Sequence, residues 1–595
     1  MKRNVIQAVN FFLIATCTLA GQSPIIPEDA WSQRFIDRLD ILYGSNIFTS
    51  NGNFRRHEAF RLAEHLYFNP KNLKTKDHWD LEYLLLDNNE FAHPVKSMDS
   101  LTQEHNNPIV YIDVGKPSVL DTFVFRQYRR PFLKYFYRTP AHFYEVDAPG
   151  FTLRLNPVLD LKAGGNLLGN DIPFRNLRGV HIRGYIDNKV YFFTSLYENQ
   201  ARFFDFHEDR INRFRAIPGA GFYSDYQSTI INRIRGRDFF NAQGYAGLSI
   251  THSINIELGH GRHMIGNGIR SMLLSNYSAN YFYLKFNTQV WKLHYQNIFA
   301  ELTPISSRWI PGDVLLPKKY MTNHYLTFKV SSGFEIGLFE SVIFNRESRF
   351  ELQYLNPVIF YRFVEHALGS PDKVLLGMNT RINFANSFQI YGQFIIDEFK
   401  LSEWRAGNGW WSNNYGIQIG LKYINVGGID HLDAQLEYNT AAPYTFTHRD
   451  TLPENPMFSP ASYSHYNQPL GHPLGANFRE VILSVQFRAS KKLDFSMRYI
   501  RSAFGDDATG RNWGGNILLP YTTREMEYGN RLLQGERTDV SLLGLDATYV
   551  LGHNIFLDVN AMFRKSSSTL ERNTGTTNYI GGGLRMNLGV RNIDY

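Results

Sequence analysis

One cysteine, Cys17, occurs in the 595 residues, and it sits inside the leader-like N-terminus. Neither disulfides nor thiol chemistry can then contribute to the rest of the chain. Long apolar runs are equally scarce. Mean hydropathy is −0.32, and past the N-terminus no run approaches the roughly 20 residues of a spanning helix, which excludes a helical membrane protein. The excess of positive charge is small, +7, and Lys2 and Arg3 supply part of it within the leader. With no nucleic-acid motif beside it, that excess does not predict a nucleic-acid partner. No cofactor is expected.

What the chain does have is alternation. Residues 280–287 read N-Y-F-Y-L-K-F-N, with Phe282, Leu284 and Phe286 on one side of an extended strand and Tyr281, Tyr283, Lys285 and Asn287 on the other. The same two-faced pattern recurs at 415–423, 481–488, 493–499 and 557–564. From residue 151 onward about 18 segments are long enough to cross a bilayer at a tilt, which takes roughly 9–11 residues. Short links such as 187–188, 252–253, 332–333, 427–428, 490–491 and 552–553 alternate with long ones. The long links run over 162–178, 201–242, 262–277, 302–320, 343–374, 400–411, 442–474, 503–536 and 567–577. Tight turns at one end and long loops at the other predict an all-β transmembrane barrel of about 18 antiparallel strands, with both barrel ends on the short-turn side. A soluble sandwich would alternate too, but its apolar face needs a second sheet.

Residues 1–20 read as a secretory signal, with Lys2 and Arg3 ahead of an apolar stretch; a lipidated Cys17 is the alternative. Residues 21–150 form a helical part and connector, and residues 151–595 the barrel. Trp31, Phe35, Leu39 and Leu42 make one helical stripe behind Pro27, a residue suited to a first helical position. A second stripe carries Ala59, Leu62, Ala63 and Leu66, and a third Trp79, Tyr83 and Leu86. The expectation is a small α-helical periplasmic plug; a tethered periplasmic domain is the alternative. The aromatic, proline-containing connector from about 106 to 150 is expected inside or under the barrel. Tyr595 ends the chain.

Function belongs to loops and lumen, since the wall is scaffold. Of eight tryptophans, Trp309, Trp404, Trp410, Trp411 and Trp513 fall in or beside proposed external loops. Indole faces suit stacking on sugar rings, although an interfacial girdle or loop packing uses them equally. The 201–242 loop carries Arg202, Arg210, Arg213, Arg215, Arg233, Arg235 and Arg237 against Asp205, Glu208, Asp209, Asp225 and Asp238. Its arginines could grip an acidic glycan or lipopolysaccharide, or pair internally with those acids. Lys285, Lys422, Arg488, Arg498 and Arg564 predict a basic lumen. The apolar 343–374 loop is expected to fold back, into the mouth or onto another loop, and reads as an extracellular constriction, because so greasy a patch needs a partner.

Enzymatic sets are weak. Glu257, His260 and His263 share zinc-ligand chemistry, but strand geometry turns His260 to the other face. His472 lacks the serine of outer-membrane phospholipases, Leu474 standing two residues on. Asp506 and Asp507 offer part of a calcium site or an ordinary turn.

The stretches R-L-D-I-L-Y-G (38–44), R-R-H-E-A-F-R-L-A (55–63) and L-N-P-V-L-D (155–160) are followed by I-E-L-G-H-G-R-H-M-I-G-N-G-I-R-S-M-L-L-S-N (256–276). Then come Y-L-N-P-V-I-F-Y-R (354–362), L-G-S-P-D (368–372) and Y-G-Q-F-I-I-D-E-F (391–399). In this order they resemble the capsule-assembly Wzi-like family, in its Bacteroidota branch with gliding-associated members. The resemblance implies an 18-stranded barrel closed by a periplasmic helical bundle and by its own extracellular loops, lying in outer-membrane lipid. It also implies a lectin-like role toward surface polysaccharide, with motility or export through protein partners as the alternative for this branch and a porin-like channel as a second. No binding residue of the family is carried over.

Overall fold

The computed structural model describes residues 23–91 and 136–590, apart from 28–29, 46, 53, 71–72, 138, 168–171, 188, 228–234, 306–314, 347–348, 359, 370, 452–454 and 570–572. The leader with Cys17, most of the 106–150 connector, Trp309, Arg233 and Tyr595 lie outside these residues.

The alternating segments become a closed antiparallel ring of 18 strands. In chain order they are β1 (Phe151–Asn166), β2 (Phe174–Ile186), β3 (Val190–Arg202), β4 (Arg235–Ser249), β5 (Ile254–Gly261) and β6 (Tyr281–Val290). Next come β7 (Leu293–Leu302), β8 (Lys319–Ser331), β9 (Phe334–Phe344), β10 (Lys373–Phe384), β11 (Phe388–Ile396) and β12 (Tyr415–Tyr423). The ring ends with β13 (Leu432–Ala441), β14 (Phe478–Ser490), β15 (Leu493–Asp506), β16 (Glu536–Gly552), β17 (Ile555–Ser568) and β18 (Gly575–Met586). Each pairs with its neighbour, and β18 returns to β1, from Leu159 opposite Met586 to Asn166 opposite Tyr579. A lead-in strand, Tyr144–Ala148, occupies the same edge of β1 at residues 151–155. Short turns gather at one end and long links at the other, as the sequence rhythm requires.

The faces sort as predicted. Phe282, Leu338, Leu376, Ile419 and Leu557 point outward and exposed, while Glu257, Lys285, Arg381, Gln393 and Asp558 point inward and are buried. An apolar outside around a polar inside is the signature of a bilayer-spanning barrel. No helix among the described residues is long and apolar enough to cross a membrane.

Three N-terminal helices fill the short-turn end of the ring: α1 (Gln33–Tyr43), α2 (Arg56–Phe68) and α3 (Asp77–Asp87). Their core joins Phe35, Leu39, Ala59, Leu62, Leu81 and Leu84 to Phe556 of the wall. Two expectations shift. The first helix begins at Gln33, so Pro27 precedes it rather than opening it. On α3 the buried stripe is Leu81, Leu84 and Leu85. Trp79 turns to His431 at a barrel turn, 6.4 Å between ring centroids, while Tyr83 packs both on Phe35 of the helical core at 5.3 Å and on His553 at 4.5 Å. Both sides of α3 are covered, so its apolar pattern has two faces and the sequence stripe took in only part of it.

Ion pairs fix the helices to the wall. Arg381 of β10 lies between Asp40 of α1 and Glu335 of β9, the latter at 2.8 Å. Arg38 reaches Asp77 at 3.0 Å and Asp433 at 2.7 Å. Burial opposes ionisation of Asp87, but Arg56, His553 and Arg183 outweigh it and hold that carboxyl well below its usual range.

The lumen is crossed a second time, higher up, by the β5–β6 link, residues 262–280, which leaves the wall and runs inward as a strap. Ile269 and Arg270 donate their amides to Glu437 at 2.6 and 3.0 Å, and the Met272 amide donates to Gln393 at 2.8 Å. Gly266 sits at φ 120°, where a Cβ would lie 2.1 Å from Gln393 Nε2; only glycine passes there. Above the strap the β13–β14 link, residues 442–477, folds inward as a lid. Phe446, Phe458, Tyr463 and Leu470 pack with Ile265, Met272 and Leu273 of the strap in one buried cluster.

The 343–374 loop does not enter the mouth. It lies on the outside of the wall, where Tyr354, Tyr361 and Val364 cover the outward residues Tyr320, Val342, Phe344 and Val374. The loop does need a partner, but the strap and lid already fill the lumen, and the outer wall supplies it.

Candidate functional site

With the lumen filled, the open surface of the long-loop end lies where the β11–β12 link (397–414) meets the β15–β16 link (507–535). The junction is built from backbone. Trp411 donates its amide to Glu527 O at 3.0 Å, Gly529 to Asn408 O at 2.9 Å and Asn530 to Gly409 O at 3.0 Å. Gly409 takes φ 67° against the Asn530 backbone, a conformation and a closeness that favour glycine.

This pairing assembles an aromatic patch. Trp410 lies 5.0 Å from Tyr528 and 5.9 Å from Trp411, and Trp411 lies 4.7 Å from Tyr521, centroid to centroid. The Arg524 guanidinium sits 4.4 Å from the Trp411 ring and the Lys400 ammonium 5.4 Å from Trp410. Arg524 pairs with Glu527, Lys400 with Glu403 at 3.0 Å, and Arg511 with Glu525 at 2.8 Å. Trp411 is thus held between Tyr521 and Arg524 as a support, whereas Tyr528 is half exposed and offers open ring area beside Trp410. Flat apolar faces rimmed by paired charges and amides suit a sugar ring, whose C–H face stacks while its hydroxyls find hydrogen bonds.

The other residues singled out from sequence are dispersed. Trp404 is exposed on a short helix, Leu401–Ala406, with Phe399 6.3 Å away. The Trp513 amide donates to Asp507 at 2.5 Å, and Arg511 lies 5.4 Å from its ring. Arg213, on the helix Asp205–Phe214, is clasped by Asp506 at 2.6 and 2.8 Å. Arg215 follows that helix in a left-handed turn, and Arg235 opens β4. Arg237 is held by Glu208 at 3.0 Å and by Asp225. Internal pairing therefore takes up much of the arginine loop. Tyr521, Tyr528, Arg524 and Lys400 were not singled out from sequence, because nothing there joins 410 to 528.

Three of the cations expected to make the lumen basic are paired. Lys285 bonds Glu257 of the wall at 2.5 Å, while Lys422 pairs with Asp37 and Arg488 with Asp80, both on the helices. Lys422 and Arg488 are thus tethers for the helices, and Arg564 lies over Phe206, 4.1 Å from its ring. A polar cavity of about 510 Å³ remains between helix α1 and the strap.

The catalytic and metal sets are taken up as well. Glu257 accepts from Tyr191 and Tyr283 as well as Lys285, and His263 contacts Tyr281 at 3.2 Å. His260 occupies the opposite face of β5 and is exposed. His472 bonds Glu480 at 2.9 Å. Asp507 caps the Trp513 and Asn516 amides, and burial lifts its carboxyl to about 6, with Asp506 adding to the effect. Asp77, Asp80 and His431 come within 4.8 Å of one another. Arg38 and Arg488 already neutralise those carboxylates.

No protein-family model matches the chain, and no curated protein does. Among solved structures it is similar to Wzi of Escherichia coli, described as an outer-membrane protein involved in group 1 capsule assembly and a carbohydrate-binding β-barrel. That likeness has a TM-score of 0.45 and 11% identity, covering 73% of this chain and 85% of that one. OprD of Pseudomonas aeruginosa gives 0.38 and 10%, covering 73% and 94%. OccAB2 of Acinetobacter baumannii gives 0.38 and 8%, covering 74% and 98%.

Proposed function

We propose that this chain is a non-enzymatic outer-membrane barrel that binds or organises surface polysaccharide through its long-loop end. That end faces the cell exterior in this reading, with the helices and both ends of the barrel on the periplasmic side. The observation that carries it is the pairing of a lumen obstructed by helices, strap and lid with an aromatic patch left open on the loop surface. A wide pore has no use for three obstructing layers, and a sugar-binding surface needs no pore. The leader at 1–20 and the outward apolar band support the membrane placement.

The test is binding of surface polysaccharide, or of its purified oligosaccharides, by titration calorimetry. Trp410→Ala with Tyr528→Ala is expected to lower affinity at least tenfold, equivalent to about 1.4 kcal/mol. Arg213→Ala, removed from the patch, leaves affinity unchanged. Equal binding by the double variant and the parent chain would sink the assignment. Recovery of stoichiometric protein partners with no glycan would favour a role in a motility or secretion assembly.

A further inference from the structure

The link between β9 and β10 lies on polar ground. Outward positions of β8 and β9 include His324 and Glu340, which face each other in register 3.7 Å apart. Inward residues of the same strands face the lumen instead: Tyr325 is buried in the cluster of strap and lid, and Glu335 accepts from the Ser50 amide of the α1–α2 link. A carboxylate and an imidazole on the outer wall would meet hydrocarbon. Trp291 and Phe328, 5.9 Å apart, mark the short-turn end of this wall. An apolar band about 25 Å tall, followed up a strand tilted by roughly 40° at about 3.3 Å per residue, takes in about ten residues and so reaches past His324.

The link covers both groups. The Tyr361 ring lies 3.8 Å from His324, centroid to centroid, and the Tyr361 and Arg362 amides both donate to Glu340 at 2.9 Å. Tyr295 of β7 donates to Pro357 O at 2.5 Å, pinning the preceding turn to the same wall. Beneath, Tyr354 and Tyr361 are fully buried; above, Val358 is 82% and Phe363 71% exposed, with Leu352 and Phe360 beside them. This exposed face continues the apolar band of Leu338, Leu376 and Met378 on the same strands.

We propose that residues 349–369 form a lipid-embedded flap. It lies down the wall from the long-loop end to about the middle of the bilayer, seals His324 and Glu340 from hydrocarbon, and presents Val358, Phe360 and Phe363 to lipid acyl chains. Continuity with the apolar band selects acyl chains as the occupant, and a carboxylate that would face hydrocarbon without the Tyr361 and Arg362 amides is what makes a seal necessary.

Cysteines placed singly at Val358 and Phe363 in a Cys17→Ser background, spin-labelled and reconstituted in phosphatidylcholine vesicles, read the occupant directly. Collisions with oxygen are expected to exceed those with an aqueous nickel complex at both sites, as at a Leu338 control and opposite to an Arg405 control. Nickel access equal to that at 405, or spin–spin broadening from a second copy, would overturn the proposal. Sealing is read separately by refolding into vesicles. Replacing 349–369 with a short glycine–serine linker is expected to cut the folded fraction several-fold, and adding His324→Leu with Glu340→Leu to restore it. Excision without loss, or loss that the leucines do not repair, would overturn the seal.

Discussion

Arg381 shows how much one inward side chain holds. It is fully buried and bridges Asp40 of the first helix to Glu335 of the wall, so replacing it takes the paired cation from Asp40 and leaves Glu335 with Lys329 alone, at 3.2 Å. Arg381→Met should cost about 3–5 kcal/mol, the usual effect of removing one partner from a buried pair, read as a lower midpoint of heat-induced unfolding in detergent. Asp507 works in the opposite sense. Its carboxyl titrates near 6 in the fold against about 3.9 in an open chain. Its contribution is therefore fully present below about 4 and lost as pH rises through 6. After correction for intrinsic rates, the Trp513 and Asn516 amides should be better protected from hydrogen exchange at pH 5 than at pH 7. Asp507→Asn should erase that difference. At this scale the sequence singled out Trp410 and Trp411, which lie side by side in the fold. Their partners Tyr521 and Tyr528 come from a link more than a hundred residues away, a contact no local pattern encodes.

Elements were legible wherever periodicity had one buried face. Strands such as 280–287 and helix α2 fall where alternation and the Ala59–Leu66 stripe put them, because each offers a single apolar side. Helix α3 has two covered sides, and its stripe took in only part of the buried pattern. The greasy 343–374 loop was rightly expected to need cover, yet the cue to its place lay elsewhere, in His324 and Glu340 breaking the apolar outward rows of β8 and β9. The strap was legible only as a long link, 262–277, and as part of a stretch that carries the family resemblance. Gly266→Val should push against Gln393 and free the strap, seen as faster proteolysis within 262–280 while the barrel still migrates as a folded band. Helix α3 should resist acid. Asp80 and Asp87 are held below the ordinary carboxylate range, burial being outweighed by His431 and Arg488 for Asp80 and by Arg56 for Asp87. Its docking is thus retained as pH passes about 4 and lost only below that, which release of Tyr83 fluorescence quenching or of protease-sensitive sites would register.

For the whole molecule the obstruction is layered. Helices, strap and lid each cross the lumen at a different height, so removing one leaves the others in the way. In planar bilayers the intact chain should be nearly silent, and so should chains lacking the strap alone or the helices alone. A chain lacking strap, helices and lid together should conduct, and large steady currents from the intact chain would contradict the closed reading. The lead-in strand carries a further consequence, for how such an object can be made. It already holds residues 151–155 of β1 on the edge that β18 must later join. The final strand therefore has one vacant stretch and one register left to find. The helical segment precedes it in the chain and reaches the strands beside that gap, Arg183 to Glu90 at 2.8 Å and Arg154 to Asn89 at 2.9 Å, which places the helices ahead of closure of the circle, as a ship is assembled in a bottle whose glass is blown last.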